Sequence, residues 1–125
     1  MTIIPIDVPL LPPNNATYSQ AVRLGSLIFV SGQLGVDAGT RKLVDGGIQE
    51  QTSQAIDNLA TILAAAGSSL DRVAKVTIFL TDFAWLRAMN EVYAARFPHR
   101  PAKTTVEIVR LDLDALIEIE VIAAL

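Results

Sequence analysis

The sequence of 125 residues contains no cysteine, and this absence excludes several kinds of chemistry. Without thiols there is no disulfide framework, no thiolate nucleophile and no cysteine metal site. Histidine is almost absent as well, since His99 is the only one, which excludes a multi-histidine metal centre. His99 lies in the turn-like stretch at residues 98–101, where a solvated loop side chain is the favoured interpretation. The residues therefore indicate no metal site.

Basic runs are also missing. The ten Lys and Arg residues are scattered, and thirteen acidic residues bring the net charge to −3. Nucleic-acid binding therefore lacks its usual electrostatic footprint.

Long apolar runs are missing too. No segment approaches the roughly 20 apolar residues that a membrane-spanning helix needs. The first residues lack the basic region and long apolar segment of a signal peptide. We therefore expect a cytoplasmic protein without a membrane partner.

Apolar residues are nevertheless plentiful, at 51% of the chain with a mean hydropathy of +0.42. A chain of this length forms one domain, here residues 1–125, and leaves much of its surface exposed. The surplus of apolar residues therefore predicts burial between subunits, which points to an oligomer.

The hydrophobic periodicity predicts five strands and two helices after an irregular, proline-rich lead-in of thirteen residues. The predicted strands are 17–24, 27–31, 73–80, 103–111 and 116–124, and the predicted helices are 48–66 and 83–97. This order predicts an α+β sandwich, a mixed sheet with two helices on one face. The other face of the last strand is partly apolar, which predicts that a second copy of the chain covers it.

Two carboxylates stand out on the last predicted strand, where Glu118 and Glu120 alternate with aliphatic residues and share one face. A carboxylate withdrawn from water has a raised pKa and can exchange protons near neutral pH. The alternative is an acidic row on a solvated edge strand, which the pattern alone slightly favours.

Weaker candidates lie elsewhere along the chain. Lys103 begins a strand after a rigid proline and is equally suited to an anionic substrate or to a structural role. Ser31 offers a hydroxyl, and Gly32 permits close approach of a ligand to the backbone. Tyr18 and Asn90 are more typical of packing and of a solvated helix face.

Ten short segments, in this order and spacing, give the chain its resemblance to the RidA/YjgF family of reactive-intermediate deaminases, from about residue 15 to residue 124. The segments are YSQAV at 18–22, SGQLG at 31–35, LVDGG at 43–47, AIDNL at 55–59, AAG at 65–67, KVTIFL at 75–80, NEVY at 90–93, RPAK at 100–103, VEI at 106–108 and IEIE at 117–120.

The resemblance implies a chorismate-mutase-like fold and a homotrimer whose sheets form a central barrel, with clefts between neighbouring subunits. It also implies hydrolysis of 2-imino acids, or of the enamines that tautomerise to them, to 2-keto acids and ammonia. The implied reaction uses no metal or organic cofactor, and its substrate is a small carboxylate.

The resemblance also implies roles for individual residues. Glu118 matches the acidic residue that orients or activates the attacking water, and Tyr18 and Ser31 match hydroxyls that line the cleft. Asn90 matches a helix asparagine near it, and Thr105 stands where the family frequently has cysteine.

One departure from the family's pattern concerns the substrate carboxylate. The deaminase branch has an arginine at the position of Lys103, and a lysine offers a point charge in place of a bidentate fork. Two alternatives to a deaminase therefore stay open: a module that binds or senses a carboxylate metabolite, and an RNA-cleaving protein. The net charge of −3 disfavours the second.

Overall fold

Six strands form one mixed sheet in the computed structural model, which describes residues 1–8 and 17–125. The strands are β1 Ile3–Ile6, β2 Ala21–Leu24, β3 Leu27–Leu34, β4 Val73–Leu80, β5 Ala102–Glu107 and β6 Ile117–Ala124. Their order across the sheet is β1-β2-β3-β6-β4-β5. Only β4 and β5 run parallel, and every other neighbouring pair is antiparallel.

Two helices pack on one face of this sheet, α1 at Ile48–Ala65 and α2 at Leu86–Arg96. A 3-10 turn at Phe83–Trp85 precedes α2, and the Asp82 carboxylate accepts a hydrogen bond of 2.8 Å from the Ala84 amide at its start. The helices bury apolar stripes with the expected three- and four-residue spacing. These stripes comprise Ala55, Ile56, Leu59, Ile62, Leu63, Met89, Tyr93 and Phe97.

The core lies between the helices and the alternate strand residues that point toward them. On β6 these residues are Ile117, Ile119, Val121 and Ala123, all buried. Close packing of α1 on the sheet depends on Gly35, because a Cβ at that position would lie 2.6 Å from the Gln51 Cα. The sequence therefore brings α1 against the end of β3 with a glycine at the contact.

The opposite sheet face carries apolar residues that are only partly buried or exposed. Neighbouring strands place Val22 beside Phe29, Phe29 beside Ile122, and Phe79 beside Val106. Among the residues that the structure describes, neither helix covers this face, which we call the open face. A partly apolar face of this kind is typical of a surface that associates with another copy.

The structure confirms the predicted α+β class and the mixed sheet with two helices on one face. It corrects the irregular lead-in, because residues 3–6 form strand β1; residues 9–16 of that lead-in lie outside the described residues. Pro5 is compatible with β1 because this strand is at the edge of the sheet, where a missing amide hydrogen is tolerated.

Four predicted boundaries are wrong by three residues or more. Strand β3 continues to Leu34 through a bulge between Val30 and Gln33, and the β2–β3 ladder ends at the Ala21–Val30 pair just before it. Strand β2 therefore begins at Ala21 and not at residue 17. Strand β5 ends at Glu107, since its single partner β4 ends at Leu80. The first turn of the second predicted helix is the 3-10 turn before α2.

No helix within residues 1–8 and 17–125 is long and apolar enough to cross a membrane.

Candidate active site

Glu118 is the half-buried carboxylate of β6, and its neighbours in the sheet are Leu34 of β3 and Phe79 of β4. It alternates with the buried residues Ile117 and Ile119, so its side chain projects from the open face. Glu120 shares that face and is exposed. The strand pattern therefore places both carboxylates on one side, as predicted, and gives them different surroundings.

A cavity of about 280 Å³ surrounds the Glu118 side chain. Three of the predicted site residues, Tyr18, Gly32 and Glu118, line it together. The other described residues that line it are Gln20, Gln33, Leu34, Val36, Arg41, Asn58, Asp112 and Leu113. The structure thus collects one group of candidate residues, which we call the glutamate cavity, from β3, β6 and the adjoining loops.

Gly32 lies in the bulge of β3, directly against Glu118. A Cβ at Gly32 would lie 2.7 Å from Glu118 Cδ and 2.9 Å from its Cγ, so only glycine leaves the carboxylate its present position. The preceding residue, Ser31, donates a hydrogen bond of 2.6 Å from Oγ to the Ser19 carbonyl. Bulges often re-aim side chains beside active sites, and this one positions the backbone that supports the glutamate.

Burial raises the pKa of the Glu118 carboxyl, and the nearby carboxylates of Glu120 and Asp112 raise it further. Removal from water disfavours the ionised form, and so does a neighbouring negative charge. A carboxyl group with a raised pKa holds its proton more firmly than an ordinary glutamate and is better suited to proton exchange with a substrate.

A second group of predicted residues lies on the other side of the sheet. Lys103 Nζ donates a hydrogen bond of 2.8 Å to Asn90 Oδ1 and lies 4.3 Å from the centroid of the Tyr93 ring. Burial lowers the pKa of the Lys103 ammonium. This group, which we call the lysine surface, borders a largely apolar cavity of about 370 Å³.

Two hydroxyls near the lysine surface have no hydrogen-bond partner among the described residues. They are the buried Oγ1 of Thr105 and the buried hydroxyl of Tyr93. Burial also raises the pKa of Tyr93 to about 12, so its phenol stays protonated. Both hydroxyls are donors without an acceptor, which is an uncommon state for buried polar groups.

One chain does not bring the two groups together. Lys103 and Thr105 pair with Val76 and Ile78, whose side chains point toward the helices, and Lys103 contacts α2. Glu118 points away from the helices, on the opposite face. A site that uses both groups therefore requires two copies of the chain.

Sequence reasoning missed several residues of the glutamate cavity, among them the polar residues Gln20, Arg41 and Asn58. Gln20 accepts a hydrogen bond of 2.5 Å from the Val8 amide, and Asn58 donates to the carbonyls of Leu34 and Val36 at 3.1 and 2.9 Å. Asn58 could have been found from the sequence, because it is a polar residue on the otherwise apolar, buried stripe of α1. Arg41 had no signal, because only the fold of its loop brings it to the cavity.

His99 is exposed, as predicted, and its Nε2 lies 2.9 Å from the Val73 carbonyl. Within the described ranges, no group of three or more His, Asp or Glu side chains is placed to hold a metal ion.

Comparison with known sequences gives matches over most of the chain. A sequence model of the family described as Endoribonuclease L-PSP matches residues 11–125. A RutC family protein of Pyrococcus horikoshii is 48% identical over 107 residues, which are 85% of this chain and 85% of that protein. Reactive Intermediate Deaminase A of Arabidopsis thaliana, named as chloroplastic, is 43% identical over 109 residues, which are 86% of this chain and 58% of that protein.

Solved structures with the same fold are also similar in sequence. A protein of the conserved Rid family from Yersinia pestis, of unknown function by its description, superposes with a TM-score of 0.95 at 35% identity. The match covers 99% of this chain and 100% of that one. E. coli TdcF with bound serine superposes with a TM-score of 0.90 at 34% identity, over 97% of this chain and 98% of that one. The sequence match, the shared fold and the named relatives agree, and the chain belongs to the RidA/YjgF family.

Proposed function

We propose that the chain is a hydrolase that deaminates reactive 2-imino acids, or the enamines that tautomerise to them, to 2-keto acids and ammonia. The observation that carries this proposal is the half-buried Glu118, whose raised pKa suits proton exchange, inside a cavity that can admit a small molecule. A relative named as a reactive-intermediate deaminase supports the same reaction class. The proposal places the reaction in the cytoplasm.

The chemistry needs one water molecule and one group that moves protons. The Glu118 carboxylate accepts a proton from water while the water oxygen bonds to the carbon of the protonated imine, which gives a neutral carbinolamine. Glu118 returns this proton to the nitrogen, the carbon–nitrogen bond breaks, and the hydroxyl proton passes to the departing ammonia as the carbonyl forms, so that the nitrogen leaves as ammonium. Glu118 ends in its starting state, and Tyr18 and Ser31 contribute hydroxyls near the reacting groups.

The proposed cleft lies between subunits of a homotrimer. Glu118, Tyr18 and Gly32 come from one subunit, and Lys103, Asn90 and Thr105 come from its neighbour, because one chain holds these groups on opposite sheet faces. The open face supplies the apolar surface for such an assembly. We expect the protein to sediment as a trimer at micromolar concentration, and a stable monomer would contradict this part of the proposal.

In this cleft Lys103 binds the substrate carboxylate. Its ammonium is oriented by Asn90 Oδ1 and by the face of Tyr93, so it is already held in one place before a ligand arrives. Thr105, two residues farther along the same strand, has a buried hydroxyl without an acceptor, which a rearrangement on assembly would have to bring to the ligand. The bound serine of the TdcF structure, a small molecule with a carboxylate, supports a ligand of this class.

A second candidate function is a binding module that senses a carboxylate metabolite. The observation that favours it is the state of Lys103, a point charge that already has Asn90 as its acceptor and therefore binds a carboxylate less firmly than a guanidinium fork. RNA cleavage, which the name of the matching family suggests, is less favourable because the net charge is −3.

Ammonia release from a freshly generated 2-imino acid separates these candidates. The wild type should release ammonia and the matching 2-keto acid in equal amounts, and Glu118→Gln should abolish this release. Glu120→Gln is the matched control, since it removes an exposed carboxylate from the same face of the same strand. A wild type that binds 2-keto acids without releasing ammonia would favour the binding module.

A further inference from the structure

The glutamate cavity has one cationic side chain among the described residues that line it, and this is Arg41. Two carboxyl groups, those of Asp112 and Glu118, line the same cavity. Without Arg41, the groups that one chain contributes to the cavity would repel an anion, since like charges in a partly desolvated space disfavour binding. Within one chain, the attraction of the cavity for a carboxylate ligand therefore depends on this residue.

The backbone of Arg41 is held in the left-handed region, with φ at 62°. A non-glycine residue is disfavoured there, and such residues cluster at functional sites. Leu113, which lines the same cavity, has a φ of 59°. Two disfavoured backbone conformations thus converge on one cavity.

The loop that carries Arg41 is well fixed. The Arg41 amide donates to the Asp37 carbonyl at 2.8 Å, and the Asp37 amide donates to the Lys42 carbonyl at 2.9 Å. Asp37 Oδ1 accepts hydrogen bonds from the amides of Gly39 and Thr40 at 2.8 and 2.9 Å. The loop therefore holds the Arg41 backbone in one place at the cavity, and the disfavoured φ is part of a defined turn.

The guanidinium of Arg41 is available for a ligand. The ion pair found among residues 1–8 and 17–125 joins Arg96 to Asp57, and Arg41 takes part in none there. Neither Glu118 nor Asp112 uses it as a partner. The other candidate cation, Lys103, already donates to Asn90. Arg41 is therefore the cation of the proposed cleft whose guanidinium has no hydrogen-bond or ion-pair partner among the described residues, whereas Lys103 already uses one of its three donors.

We propose that Arg41 binds the carboxylate of the substrate in the glutamate cavity and so determines specificity for anionic substrates. This inference rests on the proposed function, because it assigns recognition of the substrate's charge to a residue that lines the same cavity as Glu118. The planar guanidinium offers two parallel hydrogen bonds to a carboxylate, which orients the neighbouring imine carbon as well as holding it. Lys103, from the neighbouring subunit, adds a second positive charge to the same cleft.

The test uses Arg41→Gly, a change that removes the guanidinium and suits the positive φ. Calorimetric titration compares 2-oxobutanoate with its uncharged methyl ester, on wild type and variant. We expect Arg41→Gly to weaken binding of the acid about ten- to a hundredfold, the range of a charge-assisted hydrogen bond, and to leave ester binding within about twofold. The melting temperature should not fall, because the backbone conformation becomes favourable.

Lys42→Ala is the matched control, because it removes a neighbouring cation that does not line the cavity. It should leave the Kd for both ligands unchanged, whereas a general loss of positive charge would weaken acid binding in both variants. The inference is overturned if Arg41→Gly binds the acid like wild type or weakens acid and ester equally.

The same variants separate this inference from the proposed function. If the wild type releases ammonia while Arg41→Gly keeps the wild-type Kd and KM, the inference alone fails. If Arg41→Gly weakens acid binding but the wild type releases no ammonia, the deaminase proposal alone fails. A wild type that neither binds the acid nor releases ammonia overturns both.

Discussion

The Glu118 side chain occupies the space beside Gly32 in which any other residue would place its Cβ, since that atom would lie 2.7 Å from Glu118 Cδ. The contact joins the bulge of β3 to the last strand. The position of the carboxylate therefore depends on the missing side chain of its neighbour, and the two residues form one structural unit.

Gly32→Ala should displace the carboxylate and lower kcat/KM at least about tenfold, the order of effect of a misplaced catalytic group. Glu118 can move because its carboxyl is the far end of a flexible side chain, so the melting temperature should fall only slightly. Deaminase kinetics and calorimetry measure the two effects.

The control for this prediction is the double variant Gly32→Ala/Glu118→Ala. If the alanine acts only through the glutamate, the double variant has the stability of Glu118→Ala alone. Wild-type activity in Gly32→Ala, or additive losses of stability in the double variant, would show that the contact does not position the carboxylate.

The acid limb of the kcat/KM profile should report Glu118. Burial, followed by Glu120 and Asp112, raises the pKa of this carboxyl, and the reaction needs its ionised form. Activity should therefore fall, as the pH decreases, at a pH above the usual glutamate range. Glu120→Gln removes one of the charges that raise the pKa of Glu118. The pH at which kcat/KM falls should therefore be lower in this variant, and kcat/KM at higher pH should be unchanged. If the fall in kcat/KM occurs at the same pH in this variant, the titrating group is not Glu118.

The protonated form of Glu118 should favour stability, whereas its ionised form favours activity. A carboxyl whose pKa is raised by folding stabilises the folded state below its unfolded pKa, and this contribution is lost as the pH rises through the folded pKa. Glu118→Gln has no such loss. Its melting temperature should exceed that of wild type at about pH 8 and match it near about pH 4. A difference that is independent of pH would contradict the assigned pKa direction.

Lys103→Ala should weaken binding of a 2-keto acid about ten- to a hundredfold, as expected when a charged hydrogen-bond donor is removed. Lys103→Arg should increase kcat/KM for a 2-imino acid because the guanidinium restores a bidentate contact. Lys103→Met keeps the contact of the stem with Tyr93 and tests charge alone. Titration and steady-state kinetics on the three variants measure this. An alanine variant as active as wild type would show that Lys103 does not bind the substrate.

The spacing of apolar residues predicted those helices and strands that bury one regular face. The stripe from Ile48 to Ala66 and the alternation from Val73 to Leu80 each bury one face, and both elements formed where expected. Strand β1 was missed because Pro5 argues against a strand, while its pairing with β2 depends on a contact about twenty residues away. The end of β5 depends on the length of β4, which is likewise a tertiary property.

The sequence allowed the residues of the candidate site to be named, but it did not show which of them lie together in the folded chain. The alternation around Glu118 placed it on the open face, but nothing local to the sequence put Lys103 on the other face of the sheet. The separation follows from strand order and register, which set the face of every residue. Arg41 is brought to the cavity by a loop conformation that is unusual for arginine, so no motif indicated it.

The central claim, deamination in clefts shared by two subunits, is tested most directly by mixing two defective variants. Glu118→Gln and Lys103→Ala are coexpressed with different affinity tags, and doubly tagged trimers are assayed for ammonia release from a 2-imino acid. A shared cleft predicts that one of the three clefts in each doubly tagged trimer combines an intact Glu118 with an intact Lys103, so activity should rise well above that of either variant. Activity that stays at the mean of the two separate variants would contradict the shared cleft.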